Sequence, residues 1–568
     1  MEAWLKCLVL SLAWTASAFV ARAPRPAMAA ALRRSSRHDV ASRHVASMAA
    51  TLTDPTPSSG AMRPEATISP SDPTTEHAAA TETTSGAPDY SRFDWMDHWY
   101  PVAWTRDLPV DAVTKVTLFD VDYCVVNRGE REPLALEDKC PHRLAALSEG
   151  RLTAQGYVQC AYHGWSFDAS GECKSVPQRE GGASTALCAT AVPCRVEQGL
   201  LWLFPGAAAG RDADRSAPPP RVPEMDDPAF KWTTAIRDLP VDYSILVENI
   251  LDPDHGLFAH QAAPFDLYTA TRAAPQTVAV DESSPGFFSL SSAVAAVPKL
   301  VTTMKKEIRQ PGTVAGTTLY GAQNVTGVST FRPPSAIATG RRDAAGETKF
   351  QACFWLCPTG VGRTRFMSAG VGRLPVAVPR WLQHVGLNNF LDQDTHLLAT
   401  QQPYVLQAEY DAAKSGAPLV RRQLYKYSSP TERLLVEVGK FMDAAVPKTP
   451  NRYAEPLKLL MPCPPRETTL DRYAQHTQVC PDSRGAVRNA KALRLVSWAA
   501  AATVAAGRVA RLGSVARAAA SPAALGLAAL GYAAHAFVGE FAFKYGSAKR
   551  DRDLRGIPKV YADERLDD

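Results

Sequence analysis

The sequence lacks any excess of charge outside its N-terminus. Residues 1–50 carry seven basic and two acidic side chains, which accounts for the whole formal net charge of +5, so the other residues sum to about zero. Such a balance gives no electrostatic basis for binding nucleic acid. The chain also lacks the cysteine density of a disulfide-stabilised protein, because its eleven cysteines are spread over 568 residues. What remains is an ordinary globular composition, long enough for two or three domains.

Aromatic residues are missing between residues 51 and 88, where threonine, serine, proline and alanine dominate. A segment with so little apolar surface cannot offset the entropy of folding. We therefore predict a disordered linker over residues 51–92, with ordered structure from about Phe93.

The first fifty residues have the composition of a targeting sequence. Lys6 precedes an apolar run, Cys7 to Trp14, and Ala16-Ser17-Ala18 is a small-residue cleavage site, so residues 1–18 are typical of a signal peptide. The following stretch to residue 50 is rich in Arg, Ser and Ala and poor in acidic residues, as in an organelle transit peptide. The two in series resemble the bipartite presequences of proteins of complex plastids. Simple secretion is the alternative, but it leaves the second segment without a use.

Charged residues are absent from Ala518 to Gly539, a run of twenty-two residues. At about 1.5 Å per residue, a helix of this length crosses a hydrocarbon core of ~30 Å. The upstream stretch Leu495–Gly507 is shorter and bounded by arginines, so it fits an interfacial helix or a second, poor span. We predict a membrane-anchor region over residues 490–545. An alanine-rich soluble helical hairpin is the alternative.

Two Cys-His pairs dominate the middle of the chain. Cys140-x-His142 is separated by seventeen residues from Cys160-x2-His163. This order suits a Rieske [2Fe–2S] cluster, in which two cysteines hold one iron and two histidines hold the other. A Cys2His2 zinc site is the alternative, but it ordinarily groups its cysteines and its histidines separately. We therefore predict that these four residues bind the cluster.

The cluster loops also lack the additional cysteine pair of respiratory and photosynthetic Rieske proteins. The corresponding positions, Arg143 to Leu147 and Ala161-Tyr162, contain no cysteine. The tail of the second loop, His163-Gly164-Trp165-Ser166-Phe167, resembles the oxygenase kind. An oxygenase needs a second iron, so a second metal site is expected further along the chain.

Asp252-x2-His255-x4-His260 is the candidate for that site. Two histidines and a distant carboxylate form the facial triad of non-haem Fe(II) oxygenases. We predict a helix from Tyr243 to Leu251 that ends at Asp252, because the residue before a proline is biased away from the α region. His255 and His260 are five residues apart, about 140° on an ideal helix, so an irregular turn is needed to bring both to one metal.

The third ligand of the mononuclear iron should come from a later helical segment. Asp394 is the predicted ligand and Asp392 is the fallback. His396 is a further possibility, but a third histidine would leave a carboxylate-free site of another class. Asp252, the candidate catalytic residue, lies one turn before His255, so its carboxylate can sit beside a ligand histidine.

These motifs divide the chain into domains. Short β-like runs over residues 115–119, 123–126 and 134–136, and a closing hairpin over residues 192–204, predict an antiparallel β Rieske domain at residues 93–205. A linker is expected at residues 206–227. Residues 228–485 are predicted to form the mononuclear iron catalytic domain, with helices around an antiparallel sheet. The fold class is therefore α+β, followed by C-terminal hydrophobic helices.

The two sites together resemble the pheophorbide a oxygenase group of Rieske mononuclear iron oxygenases, which includes the chlorophyllide a oxygenases. The resemblance covers roughly residues 93–480. It rests on Trp99-Tyr100-Pro101-Val102, the two cluster loops, Arg237-Asp238-Leu239-Pro240, Glu248-Asn249-x2-Asp252-Pro253-x-His255-x4-His260 and Gln393-Asp394.

The resemblance implies a helix-grip-like catalytic domain, a chlorophyll-type tetrapyrrole substrate, O2, electrons from ferredoxin fed by NADPH, and membrane attachment in a plastid. It also implies a homotrimer in which Asp252 links a triad histidine to a cluster histidine across a subunit boundary. The alternative function is that of a membrane-tethered Rieske redox or protein-import component without oxygenase activity. Such an electron carrier has no need of the triad.

One position departs from the resembling proteins. They carry a C-x2-C pair after a D-R-Y-x2-H sequence, whereas this chain has Cys480 followed by Ser483 in place of the second cysteine. An intramolecular dithiol switch is therefore not expected, and Cys480 is interpreted as an ordinary thiol.

Overall fold

The structure is a computed structural model of the 568-residue chain. It describes residues 90–179, 188–252, 255, 259–262, 265–266, 276–284, 287–294, 326–342, 345, 347–373, 378–417, 419–428, 432–512 and 521–541. All of these belong to one compact unit, residues 87–568. The predicted presequence and the predicted disordered linker up to residue 89 lie outside the described residues.

Short strands make up the first part of the described chain. They are β1 Tyr100–Trp104, β2 Val113–Leu118, β3 Val121–Val126, β4 Leu134–Glu137, β5 Arg151–Leu152, β6 Val158–Gln159, β7 Ser166–Phe167, β8 Cys173–Ser175, β9 Cys194–Glu197 and β10 Leu200–Leu203. They pair antiparallel in three sheets, with orders β1-β10-β9, β2-β3-β4 and β5-β6-β7-β8. The predicted strands and the closing hairpin are therefore present.

The closing hairpin shows how the sequence sets the local geometry. Glu197 and Leu200 pair directly, so Gln198 and Gly199 form a two-residue loop. Both loop residues have positive φ, 48° and 79°. A hairpin turn of this kind matches the right-handed twist of its strands, and glycine adopts the required conformation without steric cost.

A seven-stranded antiparallel sheet forms the centre of the second part of the chain. The strands of this part are β11 Lys231–Leu239, β12 Gln261–Ala262, β13 Phe265–Asp266, β14 Gln276–Ser284, β15 Phe287–Val294, β16 Thr326–Arg332, β17 Ala336–Arg342, β18 Thr348–Gly360 and β19 Arg363–Gly372. The sheet has the order β11-β19-β18-β17-β16-β15-β14, and β12 pairs with β13 separately. This confirms the predicted sheet and the α+β fold class.

Helices accompany this sheet and follow it. They are α1 Pro223–Asp226, α2 Tyr243–Leu251, α3 Arg380–Ser415, α4 Arg433–Ala445, α5 Arg466–Thr469, α6 Pro481–Leu512 and α7 Pro522–Phe541. Helix α2 begins where the Asp242 side chain accepts a hydrogen bond from the Ser244 amide, and it ends as predicted before Asp252, whose backbone is extended. Helix α1 and a 3-10 turn over residues 205–209 lie in the predicted linker.

Buried polar contacts join the β domain to the sheet. The Trp104 indole N–H donates to the carbonyl of Ala235 on β11, at 2.9 Å. Arg380, at the start of α3, holds both carboxylate oxygens of Asp107 at 2.5 and 2.7 Å, with both side chains almost fully buried. Two-pronged arginine–carboxylate pairs fix geometry as well as charge. The domain with the Cys-His loops is thus held against the domain with the histidine-carboxylate motif.

The C-terminal helices α6 and α7 pack against each other. At Gly531 a Cβ atom would come within 2.1 Å of the Trp498 ring, so a larger residue at this crossing would force the ring to move. Helix α7 is long and apolar enough to cross a membrane, with a mean hydropathy of 1.3 and 28% of its most apolar window buried. The predicted run Leu495–Gly507 is part of the continuous 32-residue helix α6.

Candidate metal centres

The two Cys-His loops have matching backbone geometry. In the first, the Cys140 amide donates to Ala145 and the Cys140 carbonyl accepts from Leu144, both at 2.8 Å. In the second, the Cys160 amide donates to Trp165 at 2.8 Å and the Cys160 carbonyl accepts from Gly164 at 3.0 Å. The fourth residue after each cysteine has a left-handed backbone conformation, with φ of 61° at Leu144 and 73° at Gly164. Glycine is suited to this conformation, whereas leucine adopts it at a steric cost.

These turns bring the four predicted cluster ligands together. The rings of His142 and His163 are 4.5 Å apart, centroid to centroid. Cys140 and Cys160 are each only 2% exposed. Burial, together with the neighbouring Cys160 thiol, raises the pKa of Cys140 to about 11. Cluster binding would have to remove the proton of the Cys140 thiol, because thiolates are the ligands of iron–sulfur clusters.

The donor set fits a Rieske cluster. The buried Nδ1 atom of His142 has no hydrogen-bond partner among the described residues, and an unpartnered buried nitrogen is costly unless it binds something. Trp165 stacks on the His142 ring at 4.4 Å with an interplanar angle of 1° and so fixes its orientation. No feature of the sequence indicated this stacking role, although Trp165 belongs to the second cluster loop.

Helix α3 brings a carboxylate to the histidines that follow α2. The Nε2 atom of His260 lies 3.3 Å from Asp394 Oδ2, and that of His255 lies 3.9 Å from the same oxygen. One donor atom from each of the three residues lies within 4.8 Å of the others. Two imidazoles and one carboxylate fit the facial arrangement that binds non-haem Fe(II).

Neighbouring groups orient both histidines. The His255 Nδ1 atom lies 2.6 Å from the backbone carbonyl of Asp252, so Nδ1 carries the hydrogen and Nε2 offers its lone pair toward Asp394. The Asp252 carboxylate accepts a hydrogen bond from the His255 amide at 3.3 Å. Phe390, one turn before Asp394, stacks on the His260 ring at 3.5 Å. No feature of the sequence singled out Phe390 except its helical spacing from Asp394.

Asp392, the fallback ligand, lies in a different environment. Its carboxylate is 2.7 Å from Arg237 and 2.6 Å from Arg472, and both arginine side chains are almost fully buried. Burial opposes ionisation, but Arg472 and Arg237 hold the pKa of Asp392 below its usual value. His396 forms a hydrogen bond with the Thr469 hydroxyl at 2.9 Å. Of the three candidates on α3, the structure brings Asp394 to the two histidines.

Comparisons with known proteins identify families and enzymes that this chain resembles. Residues 98–193 match the family described as "Rieske [2Fe-2S] domain", and residues 331–411 match "Pheophorbide a oxygenase". Pheophorbide a oxygenase of Arabidopsis thaliana is 32% identical over 438 residues, covering 73% of this chain and 78% of the relative. The rice enzyme of the same name is 31% identical, covering 73% and 77%. Dicamba monooxygenase, a solved structure, is 20% identical with a TM-score of 0.48 and covers 62% of this chain and 98% of its own.

The predicted enzyme class and cofactors are confirmed. The chain is an oxidoreductase of the Rieske oxygenase type, which uses a [2Fe–2S] cluster, a mononuclear iron, O2 and a redox partner. The pheophorbide a oxygenases of rice and Arabidopsis thaliana are chloroplast proteins, which supports the predicted plastid location. With 31–32% identity over more than two thirds of both relatives, the chain belongs to the pheophorbide a oxygenase family of Rieske oxygenases.

Proposed function

We propose that this protein oxygenates a chlorophyll-type tetrapyrrole, such as pheophorbide a or chlorophyllide a, with electrons from ferredoxin. The observation that carries the proposal is the convergence of His255, His260 and Asp394 within 4.8 Å in a chain that also contains a Rieske domain. The substrate class rests on the relatives, two of which are named pheophorbide a oxygenase and one of which, 32% identical over 167 residues, is named chlorophyllide a oxygenase.

Each candidate residue has a defined role in this proposal. The four cluster ligands are Cys140, His142, Cys160 and His163. The iron ligands are His255, His260 and Asp394. When bound, the two centres supply electron transfer and oxygen activation. The chain itself supplies the ligands and the groups that orient them. The ring of Trp165 holds the His142 imidazole in place and the ring of Phe390 holds that of His260. The Asp252 carbonyl fixes the tautomer of His255.

Asp252 is the proposed link between the two halves of the site. Its carbonyl orients His255, and its carboxylate accepts a hydrogen bond from the His255 amide. A carboxylate between two imidazoles orients both rings. In the proposed homotrimer, the second imidazole belongs to a cluster histidine of an adjacent subunit.

The alternative, a redox or import component without oxygenase activity, also has relatives, named Protein TIC 55 and 26–27% identical. A carrier that only transfers electrons has no use for an open two-histidine, one-carboxylate site. The geometry at Asp394 therefore favours the oxygenase.

We also propose attachment to a plastid membrane through α7, whose apolar length and low burial support a span. The location in a complex plastid rests on residues 1–50. A reporter carrying residues 1–60 should reach the plastid. Phe19→Ala, at the residue that cleavage after Ala18 would expose, should leave it outside. Import unaffected by this substitution would remove the bipartite interpretation.

The decisive test of function is oxygen uptake by the full-length protein with reduced ferredoxin and a panel of tetrapyrroles. We expect one tetrapyrrole to stimulate uptake, and we expect His255→Ala to lose both the mononuclear iron and the uptake while the cluster still accepts electrons. A cluster-containing protein with no second iron and no stimulated uptake would support the redox component instead.

A further inference from the structure

A second group of metal-ligand side chains lies outside the two centres described above. His384 on α3, His476 in the turn before α6, and Cys480 just before α6 are all buried, and one donor atom from each lies within 4.8 Å of the others. Ser483, also buried, adds a hydroxyl 2.9 Å from His476 and 3.1 Å from His384. The proposed oxygenase chemistry uses none of these four residues.

Backbone carbonyls fix which ring nitrogens face this group. His384 Nε2 lies 2.8 Å from the carbonyl of Thr234, and His476 Nδ1 lies 2.6 Å from the carbonyl of Ile236. A carbonyl only accepts, so these two nitrogens carry the hydrogens. The remaining nitrogens, His384 Nδ1 and His476 Nε2, therefore point their lone pairs inward. Metal-binding histidines are typically oriented in this way.

Among the described residues, one strong donor, the Ser483 hydroxyl, faces the two inward lone pairs. The single Ser483 hydroxyl hydrogen can serve one imidazole only, although both lie within reach. The other donor is the Cys480 thiol, a weak one, at 3.6 Å from His384 Nδ1. A metal ion would accept both nitrogen lone pairs and the sulfur at once.

The spacing also suits zinc. Tetrahedral zinc with Zn–N of about 2.05 Å and Zn–S of about 2.3 Å places nitrogen and sulfur ligands roughly 3.5 Å apart. The distance from Cys480 Sγ to His384 Nδ1 is 3.6 Å. Arg380, one helical turn before His384, is already paired with Asp107 and Asp482, so its charge is compensated.

We propose that His384, His476 and Cys480 bind a structural zinc ion, with the Ser483 oxygen at the fourth position. Binding would release the proton of the Cys480 thiol, so the bound group is a thiolate with two neutral imidazoles. The ion would tie the start of α6 to α3, the helix that also carries Asp394. It would thereby attach the C-terminal helical hairpin to the iron-bearing part of the domain.

The test is zinc analysis of the iron-loaded, full-length protein. We expect one zinc per chain, with X-ray absorption at the zinc edge showing one sulfur neighbour and two imidazoles. A single sulfur identifies the site, because zinc in the iron site would have only nitrogen and oxygen neighbours and zinc in the Cys-His loops would have two sulfurs.

Two substitutions and a control make the test specific. Cys480→Ala should remove the zinc, while Ser483→Cys should retain it and raise the number of sulfur neighbours from one to two. Cys353→Ala, at a buried cysteine on β18, should change neither. Absence of zinc, zinc without a sulfur neighbour, or a sulfur neighbour that persists in Cys480→Ala would overturn the proposal. Ser483→Cys keeps the test informative if Cys480→Ala does not fold.

Discussion

Asp392→Asn removes a carboxylate that the structure places between two buried arginines. Arg237 and Arg472 have side-chain exposures of 1% and 2%, and both contact Asp392 within 2.7 Å. Asparagine keeps the shape but leaves the two guanidinium groups without this negative charge. Breaking a buried ion pair from one side costs about 3–5 kcal/mol. At about 2–4 °C per kcal/mol for a domain of roughly this size, the melting temperature should fall by about 6–20 °C.

The same substitution separates structure from metal binding. Below its melting temperature, Asp392→Asn should retain the mononuclear iron, because its carboxylate does not face the two histidines. The matched control is Asp394→Asn, two residues along the same helix, which should lose the iron. Thermal scans at a fixed rate and iron analysis of both variants measure the two effects. Loss of iron in Asp392→Asn with retention in Asp394→Asn would refute the assignment of Asp394 as the iron ligand. An unchanged melting temperature of Asp392→Asn would refute the stabilising role of its contacts with Arg237 and Arg472.

Three further predictions follow from the other sites. Reduced protein should give the low-average-g EPR signal of mixed Cys/His ligation, and His142→Cys should lower the cluster potential; an EPR-silent zinc protein would contradict this. Asp252→Asn should keep both metals but slow single-turnover reoxidation of the cluster by about 100-fold or more; reoxidation at the wild-type rate would remove the proposed link. Burial opposes ionisation of Asp242, but the charge of Arg452 outweighs it and holds the pKa of Asp242 below its ordinary value. The ionised carboxylate therefore stabilises the fold at pH values above about 3.9, the pKa of an aspartate in the unfolded chain. This stabilisation is lost as the pH falls toward the pKa of Asp242 in the folded protein. Urea titrations should therefore show that the free energy of unfolding falls less steeply with decreasing pH in Asp242→Asn than in the wild type. Identical slopes in the two proteins would contradict the stabilising role of the Asp242 charge.

Local geometry was predictable because its causes are local. The cluster loops close through hydrogen bonds between residues five apart or fewer, such as Cys160 to Trp165. Helix α2 ends at Leu251 because Asp252 precedes a proline. The glycine at position 199 indicated the hairpin that closes the β domain. Such features need no information from distant parts of the chain.

The cluster motif, the histidine pair and the helical segment that carries Asp394 could be predicted from the sequence, because each depends on residue types at short spacing. The sequence could not choose between Asp392 and Asp394, which lie about 200° apart around a helix and so face opposite ways. The packing of α3 sets which face meets the histidines and which meets Arg237 and Arg472, because these partners lie far away along the chain. The sequence also showed no sign of the cluster around Cys480, which by itself is interpreted as an ordinary thiol. Folding brings Cys480 next to His384, 96 positions away in the chain.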